Sequence, residues 1–236
     1  MKIIFRYFVI FIFFKTLQLN SQRNEIGFLL GGSNYIGDVG PTTYIDPISH
    51  GTYSLGILYR NNFSDRFSLR TQISISEIGS SDLMSNSPEY RKLRGKSFKN
   101  NIQEITAGVD FNFTEFDVQD NKFQFSTYIS TGISYFRYDE IHYPIGNNIA
   151  QSYGKSSDFA VPITLGIKSK LFKTFVLGLE ITARHTFTEN LDGSYPTFEN
   201  TEIYSQKRFG SSLSQDWIVF SGFTLTYVFG NYECKC

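Results

Sequence analysis

The sequence predicts an all-β chain: a closed antiparallel up-and-down transmembrane β-barrel of about eight strands. Three observations predict it. Apolar and polar residues alternate in eight separate stretches, the period of two that a strand with two different faces requires. The connections between those stretches alternate long and short, as they do in outer-membrane barrels. The composition is rich in residues that favour strands, turns and interfacial aromatic belts, with 24 Phe, 15 Tyr and 19 Gly in 236 residues.

Taken in order, the chain opens with Lys2 and Arg6, an apolar run from Tyr7 to Phe14, and a polar stretch ending near Ser21 and Gln22. This is the pattern of a secretory signal peptide over residues 1–21, which leaves residues 22–236 as an exported barrel with a short C-terminal tail. The run is about half the ~20 residues a membrane-spanning helix needs, and Lys15 interrupts it. A lipoprotein needs a cysteine just after such a run, whereas the only cysteines are Cys234 and Cys236.

Alternation first appears, weakly, from Glu25 to Gly32 and from Tyr53 to Arg60. It is clear from Phe67 to Ile75, where Phe67, Leu69, Thr71, Ile73 and Ile75 interleave with Ser68, Arg70, Gln72 and Ser74. Ile105 to Phe113 sets Ile105, Val109, Phe111 and Phe113 against Glu104, Asp110 and Asn112. Phe123 to Tyr135 places Gln124, Ser126, Tyr128, Ser130 and Ser134 on its polar face. Val161 to Ile167 opposes Thr164 and Lys168, Phe175 to Ala183 opposes Glu180 and Arg184, and Trp217 to Phe229 closes the set.

Long connections are expected at Asn34 to Thr52, Gly79 to Asn101, Arg137 to Phe159 and Thr188 to Gln215, and short ones near Asn61 to Arg66, Thr114 to Lys122 and Phe172 to Thr174. With long loops external, both termini fall in the periplasm and the barrel sits in the bacterial outer membrane, in contact with its lipid. A soluble barrel shows the same periodicity with the faces exchanged. Strand length, aromatic residues at strand ends and charges of both signs on the polar face favour the membrane. An eight-stranded barrel is only wide enough for side chains, so Arg70, Glu104, Asp110, Lys168, Lys170, Glu180 and Arg184 are expected to meet as an interior charge network that plugs it.

Lys+Arg and Asp+Glu both number 22, and this balance argues against a nucleic-acid partner. His50, His142 and His185 lie far apart, so no metal cage is expected. A nucleophilic triad through His185 and Glu180 fails on parity: an odd separation puts them on opposite faces of one strand. Asp192 with Glu189 lacks the regular acidic ladder of a calcium loop. No helix follows Gly31 to Asp38 to hold a phosphate. We therefore expect neither enzyme activity nor a cofactor. A disulfide between Cys234 and Cys236 would close a very tight, strained ring, and a bridge to a partner or a nonstructural tail stands beside it as an alternative; a partner contact is the expectation.

The stretches Gly31-Gly32-Ser33-Asn34-Tyr35-Ile36-Gly37-Asp38, Ser97-Phe98-Lys99-Asn100-Asn101-Ile102 and Phe187-Thr188-Glu189-Asn190-Leu191-Asp192 resemble the PorG family of outer-membrane barrels from Bacteroidota. The resemblance spans nearly the whole chain after the leader. It implies a component of the type IX secretion system that anchors or organises the periplasmic ring of PorK and PorN at the outer membrane, and it carries over no catalytic residues. The loops alone suggest a second reading, a surface barrel for adhesion or ligand capture. A lipid-A-modifying enzyme is a third.

Overall fold

In a computed structural model, described over residues 23–41, 52–84, 86–120, 122–196, 208–210 and 215–230, the chain closes into a barrel of eight antiparallel strands in sequence order. The strands are β1 (Arg23–Ile36), β2 (Ser54–Asn62), β3 (Phe67–Ser81), β4 (Ser97–Asn112), β5 (Phe125–His142), β6 (Gln151–Lys170), β7 (Phe175–Thr186) and β8 (Trp217–Phe229). Each pairs with its neighbour, and β1 pairs with β8 from Asn24↔Phe229 to Ile36↔Trp217, so no sheet edge remains along the closed wall. The expected leader, His50, Cys234 and Cys236 lie outside the described residues.

The two faces settle which way round the barrel is built. Outward-facing Phe28, Ile73 and Ile133 are more than 60% exposed, while inward-facing Arg60, Asp110, Lys168 and Glu180 are at most 2% exposed. Apolar outside and charged inside is the arrangement of a barrel whose solvent is lipid. Two aromatic girdles bound the apolar band. Phe63, Phe67, Phe111 and Phe113 form one chain of ring contacts at the short-turn end, with Phe175 against Tyr227. Tyr135 against Phe159 and Trp217 against His185 mark the other end.

Two of the long connections prove much shorter than the sequence pattern indicated. Strand β3 continues to Ser81 and β4 begins at Ser97, and between them lies a six-residue helix, α1 (Glu89–Arg94), ended by Gly95 in a left-handed conformation (φ 67°). Strand β5 runs to His142 and β6 starts at Gln151, so most of the expected loop from Arg137 to Phe159 is sheet. The reason is physical: above the bilayer both faces of a strand are polar or buried under loops, and the alternation that marks a lipid-facing strand stops before the hydrogen-bonded ladder does.

Candidate functional site: the filled interior and its two closures

Inside the barrel Arg60, from β2, is the hub. Its Nε donates to Asp110 Oδ2 at 2.7 Å, its Nη2 donates to Glu180 Oε1 at 2.9 Å, and its Nη1 lies 3.7 Å from Glu25 Oε2. Arg70 grips Glu180 with both nitrogens, at 3.0 and 2.8 Å, and also donates to Gln72 Oε1 at 2.7 Å. The Tyr128 hydroxyl donates to Glu180 and accepts from Arg60 at 3.2 Å. Glu25 is completed by Asn62 at 2.9 Å and Thr226 at 2.6 Å. One level further towards the long connections, Arg184 Nε donates to Glu104 Oε1 at 2.9 Å, and Ser74 adds a bond to Glu104 Oε2.

This arrangement is what alternation makes of charge. Residues two apart share a face, so Glu25, Arg60, Arg70, Asp110 and Glu180 project inward from five different strands to one level. Taking such charges out of water costs several kcal/mol each, and close mutual pairing offsets that cost. Gly166 is part of the same design: a Cβ there would stand 2.5 Å from Tyr128 Cζ, so only glycine admits the phenol ring. The voids that remain among Arg70, Thr106 and Arg184, and between Glu104 and Arg184, hold about 10 Å³ each, room for no more than a single water and far from a conduit.

Of the residues expected inside, Arg70, Glu104, Asp110, Lys168, Glu180 and Arg184 line the mid-barrel. Lys170 sits lower, donating its ammonium to the Val118 and Asp120 carbonyls of the β4–β5 turn rather than to a carboxylate. Lys168 Nζ lies 4.6 Å from the centre of the Phe116 ring and has no hydrogen-bond partner among the described residues. The sequence reading missed Glu25, Arg60 and the functional weight of Tyr128. Glu25 and Arg60 stand in the two weakly alternating strands. Tyr128 is on the expected polar face, but nothing in its neighbourhood of the sequence marks it as a bridge.

Both mouths are closed. At the short-turn end Phe116 and Val118 fold up into the lumen against Val176 and Val228. Arg23 pins that turn through Asp65 and Asp117, and Phe116 N donates to Asp65 O at 3.0 Å. At the other end the connections form an apolar cap in which Tyr35, Val39, Phe98, Ile102, Tyr143 and Leu191 pack together. Arg91 of α1 holds the Gly37 and Gly40 carbonyls at 2.9 and 2.8 Å, and Arg94 grips Asp82. Lys96 lies 3.9 Å from the centre of the Tyr143 ring; burial, then neighbouring Arg94, pushes its ammonium down to about 8.

Within the cap Asp216 accepts the Tyr35 hydroxyl at 2.5 Å and Leu191 N at 3.1 Å, and Asp192 accepts Ser194 N at 2.8 Å. Burial first, and Asp192 second, raise the Asp216 carboxyl well above the ordinary carboxylate range. Burial likewise raises Asp192 and, with Asp38 next to it, Glu189. No group of three or more His, Cys, Asp or Glu side chains placed to hold a metal ion occurs among the described residues. His142 meets the Tyr153 ring edge-on, and His185 stacks on Trp217 at 4.7 Å on the face opposite Glu180. The three motifs that carry the family resemblance meet here: Tyr35 packs edge-on to Phe98 at 4.8 Å, and Asn100 donates to Leu191 O at 2.9 Å.

A family described as Domain of unknown function (DUF6089) matches residues 4–236. No curated protein matches the chain. Among solved structures the chain is similar to Ail, the attachment invasion locus protein of Yersinia pestis, at 10% identity, with 89% of this chain and 100% of that chain covered and a TM-score of 0.47. It is similar to neisserial surface protein A at 9% identity, 87% and 97% coverage and a TM-score of 0.48. The N-terminal β-barrel domain of Pseudomonas aeruginosa OprF matches at 11% identity, 89% and 98% coverage and a TM-score of 0.44.

Proposed function

The chain belongs to the DUF6089 family, and for this member we propose a non-enzymatic role as an outer-membrane component of the type IX secretion system, anchoring or organising the periplasmic ring of PorK and PorN. The observation that carries a non-conducting role is the filled interior: a barrel plugged by Arg60 and its carboxylates and closed at both mouths works through its surfaces, not its lumen. The resemblance to PorG supports the particular machine. In this reading the short turns 63–66, 113–124 and 171–174 face the periplasm with both termini, as short turns do in outer-membrane barrels, and the ring docks on them.

The test is a comparison of culture-supernatant and cell-surface proteomes in a gene deletion, its parent and a complemented strain, followed by crosslinking from the short turns. Type IX cargo retained in the periplasm, with export restored by complementation and crosslinks to PorK or PorN, is the expected result. Unchanged export overturns the reading.

One observation favours a second reading, a surface-binding barrel. The cap leaves Leu83, Tyr90, Leu93, Ile145 and Ile149 between 63% and 87% exposed at the long-connection end, more apolar surface than a cap serving only as a lid requires. Polar substitution of Leu83 and Leu93 that abolishes cell adhesion while export stays intact would favour it.

A further inference from the structure

The lipid-facing wall is not uniform. A groove of about 690 Å³ crosses its outer surface from the short-turn end of β4 to the middle of β1. Its floor first follows one ladder row: Phe113 N donates to Thr127 O at 3.0 Å, and Thr127, Ile167 and Leu179 are successive cross-strand partners. The next member of that row, Phe223, is exposed and lines one side, and the floor passes to the neighbouring row of Ile181 and Ser221. At its upper end Ser221 pairs with Gly32, and these two small residues leave the wall low where other rows carry Leu, Ile or Phe. Because strands in a closed barrel tilt, a row along the hydrogen bonds climbs through the bilayer, so the groove starts at the aromatic girdle and ends near the midplane. Its volume lies within the ~300–1,000 Å³ of small-molecule sites.

The charge at its lower mouth differs from the rest of the surface. On the long-connection side the half-buried Lys92 pairs with Glu89, and the exposed Lys99 and Lys155 pair with Glu77 and Asp139. The ammonium groups of Lys122 on the β4–β5 turn and Lys173 on the β6–β7 turn are exposed and form no salt bridge among the described residues, while the Lys122 amide donates to Asp120 Oδ1 at 3.1 Å. Lys170 ties the two turns together through the Val118 and Asp120 carbonyls, and exposed Phe123 and Phe172 flank the lysines at the level where rings meet headgroups. A second lipid-facing groove, about 550 Å³ around Gly56 and Ile73, lies at mid-strand and reaches neither rim.

We propose that this groove is a glycerophospholipid site of the leaflet on the short-turn side, with one acyl chain along Thr127, Ile167 and Leu179 towards Ser221 and the phosphate on Lys122 and Lys173. The site is continuous with the lipid-facing belt, and its charge is complementary to a phosphate. Assignment to the periplasmic leaflet rests on the orientation proposed above; the site itself does not.

Native mass spectrometry of the full chain in detergent, titrated with palmitoyl-oleoyl phosphatidylglycerol and separately with the phosphate-free diacylglycerol of the same chains, tests it. One phospholipid is expected to remain bound at concentrations where diacylglycerol is lost. Lys122→Glu with Lys173→Glu, both on exposed turns, is expected to weaken phospholipid binding at least tenfold, and Ser221→Phe to weaken both lipids. Heat-modifiable migration on gels confirms that each variant is folded, and Lys122→Gln with Lys173→Gln replaces the charge reversal if it does not fold. Equal retention of the two lipids, or binding unchanged in the folded variants, overturns the proposal. Labelling of Lys173→Cys in intact cells by a membrane-impermeant maleimide, above the parent chain's background, would instead overturn the orientation and move the site to the other leaflet.

Discussion

In the mid-barrel, carboxylates and guanidiniums from different strands converge within hydrogen-bonding distance, so every guanidinium there has a carboxylate beside it, Lys168 alone making no such pair among the described residues. In the cap above it, Asp192 and Asp216 face each other across Tyr35, neither in a salt bridge among the described residues although Arg94 and Lys96 lie nearby, and apolar packing surrounds them. The first region is organised by charge pairing and the second by burial. The difference teaches where each is vulnerable: the mid-barrel to loss of a partner, the cap to loss of volume or of a proton.

The largest effect is expected from Arg60→Ala. It leaves Glu25, Asp110 and part of Glu180 buried without compensation, a cost of about 3–5 kcal/mol, read as a lower urea midpoint for the folded barrel in micelles. Leu191→Ala, at the centre of the cap, is expected to cost about 2–5 kcal/mol but locally. Limited proteolysis should cut the long connections sooner while the strands stay resistant, and equal loss of both would merge the two regions into one cooperative unit.

Proton dependence comes next. The folded cap holds Asp192, Asp216 and Glu189 above their ordinary values, so it binds more protons than the unfolded chain in that range. Cap stability is therefore greatest in acid and falls as pH rises through the raised values. Asp192→Asn removes one of the facing charges, keeps an oxygen for the Ser194 amide and should flatten that slope in pH-dependent proteolysis of the long connections. The smallest effect is expected from Lys168→Met. Its ammonium makes no hydrogen bond to the described residues, so the loss is that of ring contacts worth ~0.5–2 kcal/mol and of its longer-range attraction to Glu25, Asp110 and Glu180. A larger loss would show that Lys168 is a structural cation equal to Arg60.

Most of the barrel was legible because lipid imposes a strict rule on one face. Wherever a strand crosses the apolar band, as in Phe67–Ser81, alternation names both the strand and the residues that turn inward. The rule ends at the girdle. Above it, Asp139 to His142 and Gln151 to Ser157 are still paired strand, yet neither face meets lipid and no alternation signals them. Arg60 escaped notice because β2 is the shortest strand, at nine residues, and its pattern is interrupted by Gly56. The cap was the least legible part. Tyr35, Phe98, Leu191 and Asp216 come from four separate connections or strand ends, and only the closed fold brings them together. Their stretches carried the family resemblance all the same, which ties that resemblance to the architecture of the long-connection end rather than to the short turns proposed to meet the ring.

The central claim is that this is a sealed barrel whose interior charges form a fixed plug. Single-channel recording of the refolded full chain in a planar bilayer tests it most directly. No discrete conductance is expected from the parent chain. A large, stable current through it would contradict the account, because a filled lumen with voids of about 10 Å³ has no path for hydrated ions.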